Sequence, residues 1–472
     1  MKIKSLLIKR IVSAIVVGSM LMGLGGCVAD SIPSGSTSTT ANEPNKTNSP
    51  VQASDNSVSA DANSLLADSS LLDPANPVTI SFYSYSLSYP TMRPGIEHLI
   101  NEFNDTTGKE KGVVVAPVED ATFSKYQSDI AAGEKVNVIQ HTFSTLDLSR
   151  QDLGLVAYED IFPADEMTEH LSHMYENAIE LGKLDGKTYA LAFTFSTPIL
   201  YINGKLFEEA GLDPNKPPTT WSQVIEYSKI IKEKTGVPGF GLAPNNGWVT
   251  EGLFFSNGAD ILNSDKTEAV FAAPEGVEAI KMWQEFYQSG AHAVGADTEV
   301  AEQFMAGALG MQLQSTSMLS GFKQASEAGG WELYGAEMPA FEGKTAIPVN
   351  SGSALAVRSS SALESAAIWE FIKFVTGPVG YTIITSEVGY LPLNKEIVND
   401  PQYLKSFIDE NPLMSTNLNQ LTRLRPVTIW PADICIEART IFNDTIVQAV
   451  TTNGDVSQIL TEAQNRINEL LK

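Results

Sequence analysis

This chain has almost no cysteine, and its positive charge falls far short of its negative charge. Its 472 residues carry 31 lysines and arginines against 56 aspartates and glutamates, a net charge of −25. Such a chain is not drawn to nucleic acid or to an anionic bilayer by general attraction. The two cysteines, Cys27 and Cys435, lie far apart and cannot form a disulfide scaffold. No H-E-x-x-H, G-x-S-x-G or G-x-G-x-x-G run occurs, which removes the usual signatures of zinc hydrolysis, a serine elbow and dinucleotide binding. Gly186-Lys187-Thr188 and Gly343-Lys344-Thr345 end like a phosphate loop, but both lack the glycine five residues earlier. His170 and His173 stand three apart on a predicted helix over 165–181. They have no further ligand set and read as solvated surface, so no metal and no cofactor is expected. Carboxylates are abundant, yet their spacing singles out no glycosidase-like pair.

The one long apolar run is at the start. Lys2, Lys4, Lys9 and Arg10 precede an apolar stretch over 11–24 and then Leu24-Gly25-Gly26-Cys27. Basic, apolar and small-residue regions in that order make a targeting segment. Its end resembles a bacterial lipobox, which implies that Cys27 becomes the first mature residue and carries lipid. Loss of residues 1–26 leaves 27 basic residues against 56 acidic ones, a net charge of −29. Residues 27–76 are rich in Ser, Thr, Asn, Asp and Ala and hold no aromatic residue. They cannot bury enough apolar surface to offset their ordering entropy, and read as a tether, with local helix near 64–72. A long tether behind a lipidated cysteine suits the outer face of a Gram-positive membrane.

From residue 78 the pattern changes. Strands are predicted at 78–83, 112–117 and 136–140, with helices at 94–104 and 123–132 between them. Such alternation gives parallel pairing and an α/β lobe. Ligands meet the loops after strand carboxyl ends in open sheets, where Tyr83-Ser84-Tyr85 and Gln140-His141-Thr142 fall. The chain then centres on residues 185–223. Two apolar runs, 189–195 and 199–202, read as strands and flank Ser196-Thr197-Pro198. Pro198 has no N–H to donate and marks a crossing. Thr220 with Gln223 three residues on opens a helix over 221–234. Further helices are predicted at 274–287, 363–375 and 456–471.

The run STPILYIN from Ser196, and F-x-x-A-G-L-D-P-N-x-P-P-x-T-W from Phe207 to Trp221, resemble the central block of extracellular solute-binding proteins (family 1), the receptors of ABC importers. The likeness is nearest to the receptors for sn-glycerol phosphate and its diesters. Phe304-x-x-Gly307-x-x-Gly310-Met311 resembles that family's F-x-x-G-x-x-x-M element, and Gly389-Tyr390-Leu391-Pro392 its closing G-Y-L-P. The resemblance implies an α/β, two-lobed, periplasmic-binding-protein-like (type II) fold. Its lobes are discontinuous, 77–193 with 351–392 and 194–350 with 393–472, and are joined by hinge strands near 192–197, near 347–351 and after Pro392. It implies a monomer with no catalytic role that passes a small solute, a sugar or polyol phosphate, to ABC permease subunits. The competing reading is a secreted glycan-acting enzyme or surface lectin.

Carried over position by position, the resemblance implies ligand contacts at Ser196, Ser315, Gly352, Tyr390 and Arg425, with Arg423 a rival for the last. A guanidinium fork holds two phosphate oxygens together. Tyr83 joins them from its place at a strand end. Trp221 and Trp248 offer indole faces to a sugar or a quaternary ammonium. The family's tyrosine before the second helix is replaced here by Thr122 or Phe123. Its glutamate after the third strand gives way to His141, Thr142 and Phe143. Those departures point to a different polyol end, or to an oligosaccharide.

Overall fold

The computed structural model describes residues 65–472. Cys27 and the targeting segment lie outside the described residues. The strands of the two main sheets are, in chain order, β1 (Val78–Tyr83), β2 (Val113–Val118), β3 (Val138–Thr142), β4 (Ala190–Ser196), β5 (Pro198–Asn203), β6 (Phe240–Gly241), β7 (Met311–Ser315), β8 (Leu333–Ala336) and β9 (Ser351–Val357). The first sheet runs β2-β1-β3-β9-β4 and the second β8-β5-β7-β6. Each sheet organises one lobe.

In the first sheet β1 pairs in parallel with β2 and β3, as helix–strand alternation predicts. The other two strands depart from that rule. β9 arrives from the second lobe and runs antiparallel between β3 and β4. β4 is buried at every position, and so is β5, which is why both read as unbroken apolar runs rather than alternating ones. Thr197 alone separates them, so the chain passes from one sheet to the other across a single residue. Pro198 still takes a place in β5, opposite Ser315. It sits at the first position of the strand, where the missing N–H costs no ladder bond.

Local signals explain most element ends. Asp185 and Gly186 both take positive φ, 51° and 79°, in the turn that pairs Lys183–Leu184 with Lys187–Thr188; Asp-Gly suits such a turn. Thr220 Oγ1 accepts the Gln223 N–H, opening the helix Trp221–Thr235. The Gln223 side chain reaches back to the Thr219 N–H at 2.8 Å, one residue earlier than a capping box requires. The predicted helix over 165–181 is broken into Ala164–Ser172 and Glu176–Ile179. Tertiary pairing breaks it: the Tyr175 N–H donates to the Leu393 carbonyl at 3.0 Å, and Met174 bridges Asn394. His170 is not a solvated histidine. Its ring packs edge-on to Trp369 with Nε2 2.7 Å from Thr376 Oγ1, and burial lowers its pKa to about 4.

The segment 65–76 lies against the first lobe instead of standing free. The Ala67 N–H donates to the Ile161 carbonyl, and Asp68 caps a short turn, Ser69–Leu71. The first lobe's core centres on Phe82, Phe103, Phe193 and Phe371, whose rings meet edge to face at 5.1–5.9 Å. The second lobe has its own aromatic cluster of Trp221, Phe240, Phe286 and His292. Each such side chain, fully buried, contributes roughly 1.5–3 kcal/mol.

Candidate functional site

The lobes meet where β4 becomes β5, and there several expected residues come together. The Ser315 hydroxyl, at the carboxyl end of β7, donates to the Ser196 hydroxyl, at the end of β4, across 2.8 Å. Ser196 is paired in register with Ser351, and Gly352 with Phe195. Tyr390 precedes Leu391, whose N–H donates to the Phe195 carbonyl at 3.0 Å. Ser196, Ser315, Gly352 and Tyr390 therefore belong to one junction, contributed by four separate stretches of chain. Around them Thr316 donates its N–H to the Thr197 carbonyl, and Asn417 bonds both Thr197 and Thr316 through side chains.

Gly352 differs in its reason. It has φ of 99°, and a β-bulge separates it from Ala354. A Cβ built there would lie 2.0 Å from the Thr194 carbonyl oxygen. The close approach that excludes a side chain is to the neighbouring strand.

Tyr83, Trp221, Trp248 and Arg425 make none of these bonds. Tyr83 is buried in the first lobe, its hydroxyl donating to Asp129 Oδ2 at 2.8 Å and its ring against Tyr126. Trp221 is enclosed in the second lobe's core, edge-on to Phe240 and tilted to Phe341. Its apolar side faces core partners because the capped helix start aims it inward. Trp248 is half-buried on the first turn of the helix Gly247–Ser256. Arg425 donates to Asp260 Oδ1 at 2.8 Å and stacks over the Phe255 ring at 3.8 Å. It lines a cavity of about 410 Å³ with Lys183, Glu180 and Lys266, and none of Ser196, Ser315, Gly352 or Tyr390 lines it. The Arg425 side chain is 43% exposed and that of Asp260 53%, so this pair adds less than about 1 kcal/mol. Arg423 is committed to Glu337 and to the Ala346 carbonyl.

Three residues not singled out as contacts adjoin Ser315. Gln314 Nε2 donates to Asp297 Oδ1 at 2.8 Å, and Asn246 Nδ2 donates to the same oxygen at 2.9 Å. Gln314 Oε1 accepts the Ser315 N–H at 2.8 Å. Burial raises the Asp297 pKa against the effect of those bonds. The only hint in the sequence is the polar alternation Gln312, Gln314 in an otherwise apolar strand. At the end of β3, where an acidic residue is replaced, Arg439 Nη1 reaches Ser144 Oγ at 3.0 Å and the Ala432 N–H reaches Asp147.

Glu251, on the Trp248 helix, is fully buried and accepts the Thr428 N–H at 2.7 Å. Burial pushes its pKa up from 4.5 to about 7, against the bonds from Thr428 and the charge of Arg425. Glu251 thus keeps its proton in the fold across a range where the unfolded chain has lost it. Its contribution is greatest below pH 4.5, falls as pH rises toward 7, and then levels off. Glu251→Gln is expected to remove about 3 kcal/mol of that decline, so that the variant gains on the parent at pH 8 relative to pH 4. Urea unfolding at the two pH values measures it, and parallel profiles for the two proteins would contradict the assignment.

Among the described residues no group of three or more His, Cys, Asp or Glu could hold a metal ion, and no helix is long and apolar enough to cross a membrane. Two open sheets joined by crossing strands, with hydroxyls gathered at the crossing, define a two-lobed solute-binding protein of the periplasmic type. The chain belongs to the bacterial extracellular solute-binding family, whose model matches residues 98–415. It is 27% identical over 303 residues to the sn-glycerol-3-phosphate-binding periplasmic protein UgpB of Escherichia coli K12, covering 61% of this chain and 68% of that one. In structure it is similar to the cyclic alpha-maltosyl-1,6-maltose binding protein from Arthrobacter globiformis, with a TM-score of 0.73 at 20% identity over 84% of this chain and 100% of the other. UgpB from Mycobacterium tuberculosis, solved with glycerophosphocholine, gives a TM-score of 0.69 at 20% identity over 84% and 98%. The relatives are binding proteins rather than enzymes. Proteins of this class bind small molecules and deliver them to ABC permeases.

Proposed function

We propose that this chain is the lipid-anchored receptor of an ABC importer, held by Cys27 at the outer face of the cell membrane. It captures a small hydrophilic solute, a sugar or a glycerophosphodiester, by closing its lobes. The observation that carries the reading is the Ser315–Ser196 bond of 2.8 Å at the crossing of the two sheets. Two hydroxyls from different sheets, beside Tyr390 and the Gly352 bulge, present donors and acceptors that a polyhydroxylated solute can exchange. Half-buried Trp248 flanks the second lobe's side. Trp221 and Tyr83 support the site from within the two cores, and Arg425, already paired with Asp260, stands outside it.

The mechanism is a shift of population: solute that prefers the closed arrangement draws the lobes together. Addition of maltotetraose, glycerophosphocholine or sn-glycerol 3-phosphate in turn is expected to reduce the radius of gyration in solution scattering for the solute that binds. Unchanged curves at saturating levels of every solute in a broad panel would defeat the reading. Cys27→Ala is expected to free the protein from membranes or leave an unprocessed precursor. A processed, detergent-requiring membrane form of that variant would rule out the anchor.

A further inference from the structure

The carboxyl ends of β6 and β7 lie side by side, because the two strands pair in parallel. Asn246 follows β6, five residues past Gly241, and starts the helix Gly247–Ser256. Gln314 and Ser315 end β7. Asp297 is the first residue of the helix Asp297–Met305. Strand ends and helix starts thus converge where open α/β sheets receive ligands. The chemistry there is unbalanced. Asp297 Oδ1 takes both amide donors, one from Asn246 and one from Gln314. The Gln314 carbonyl oxygen is taken by the Ser315 N–H. Asn246 Oδ1 is left buried with no hydrogen-bond partner, in a side chain only 6% exposed. A buried acceptor without a donor is costly and calls for one.

We propose that Asn246, Asp297 and Gln314 form the specificity-determining end of the solute site, reading a hydroxyl donor and turning away anions, so that the solute presented there is a neutral polyhydroxylated molecule. The inference rests on the reading of the Ser196–Ser315 junction as the solute site. A sugar hydroxyl can donate to Asn246 Oδ1. The phosphate group of a monoester, mostly doubly ionised at neutral pH, offers acceptors rather than donors, and at this end it would meet the Asp297 carboxyl two hydrogen bonds away from Ser315. Among the described residues no lysine or arginine bonds to Ser196, Ser315, Gln314, Asn246 or Asp297. Arg425, the cation the resemblance supplies, is paired with Asp260 and stacked on Phe255, and makes no bond to these five residues.

The test uses the detergent-solubilised full chain. Isothermal titration with maltotetraose, maltose, glycerophosphocholine and sn-glycerol 3-phosphate is run on the parent, Asn246→Ala and Asp297→Asn. The expected result is that a neutral sugar binds the parent and sn-glycerol 3-phosphate does not. Asn246→Ala should weaken the sugar about tenfold or more, with its own melting temperature held near that of the parent. Asp297→Asn should narrow the margin between sugar and phosphate. Unchanged sugar affinity in Asn246→Ala overturns the proposal, since water alone then satisfies the amide oxygen. Micromolar binding of sn-glycerol 3-phosphate to the parent overturns it too, as does failure of both sugars. If a phosphorylated probe compacts the molecule in scattering, capture by closure stands and only the specificity assignment falls. If none of the four probes does so, the specificity assignment falls with the two sugars, while the closure reading falls only if the broad panel also leaves the curve unchanged.

Discussion

Gly352→Val is expected to cost roughly 3 kcal/mol or more of stability, and Gly352→Ala most of that. The residue sits at φ 99°, where side chains are strained by about 1–3 kcal/mol. Its Cβ would also fall 2.0 Å from the Thr194 carbonyl oxygen and 3.0 Å from the Phe195 Cα. Both neighbours are backbone of β4, a strand buried along its whole length, so neither can swing aside. Relief would require β9 to part from β4 at the bulge, next to the Ser196–Ser351 pair. Urea unfolding of the alanine variant, monitored by tryptophan fluorescence, measures the loss. A midpoint equal to the parent's, with the same slope, would show that the bulge relaxes at little cost and that the close approach is incidental.

The second large effect is expected at Gln140. Its side chain is fully buried at the heart of the first sheet. Oε1 accepts from the Ser84 hydroxyl at 2.5 Å, and Nε2 lies within 3.0 Å of Ser86 Oγ, Thr194 Oγ1 and Ser353 Oγ. These partners come from the loop after β1, from β4 and from β9, so one amide ties three elements that are far apart in sequence. Gln140→Leu keeps most of the volume but strands several hydroxyls in an apolar setting. A buried polar group left unsatisfied costs about 1–3 kcal/mol. Thr194 and Ser353 already bond each other at 2.5 Å and soften the loss. The expected total is about 3 kcal/mol, with faster hydrogen exchange along β9. A loss below about 1 kcal/mol would mean the hydroxyls re-pair among themselves and the amide is dispensable.

What the sequence discloses follows range of interaction. The helices with local caps, such as Trp221–Thr235 behind Thr220, and the parallel strands β1 to β3 follow from side chains within a few residues of one another. The burial of β4 and β5 is visible as uninterrupted apolar runs around Ser196-Thr197-Pro198. The antiparallel course of β9 is not visible, because its partners are about 160 and 210 positions away. The same limit explains the break after Ser172, imposed by Leu393 and Asn394, and the docking of residues 65–72 on Ile161. At the junction, Ser196, Ser315 and Tyr390 are legible through family motifs. Asp297 and Asn246 carry no motif of their own and gain meaning only when β6 and β7 lie side by side. Trp221 illustrates the opposite case: an aromatic at a helix start suits a ligand or a core equally well in sequence, and its packing on Phe240 and Phe341 is visible only in the fold.

The position of β9 bears on how the molecule is made. The first sheet has a vacancy between β3 and β4 until residue 357 is available, and β4 has no other partner in that sheet. A chain exported amino-terminus first therefore cannot close its leading sheet until about three quarters of its length has crossed. Loop closure over so many residues is slow, and contacts of such long range delay the productive transition. In a chain exported amino-terminus first, completion of that sheet would accordingly be a late event on the far side. A circular permutant that places β9 directly after β3 should close that sheet early, refold faster, and export poorly.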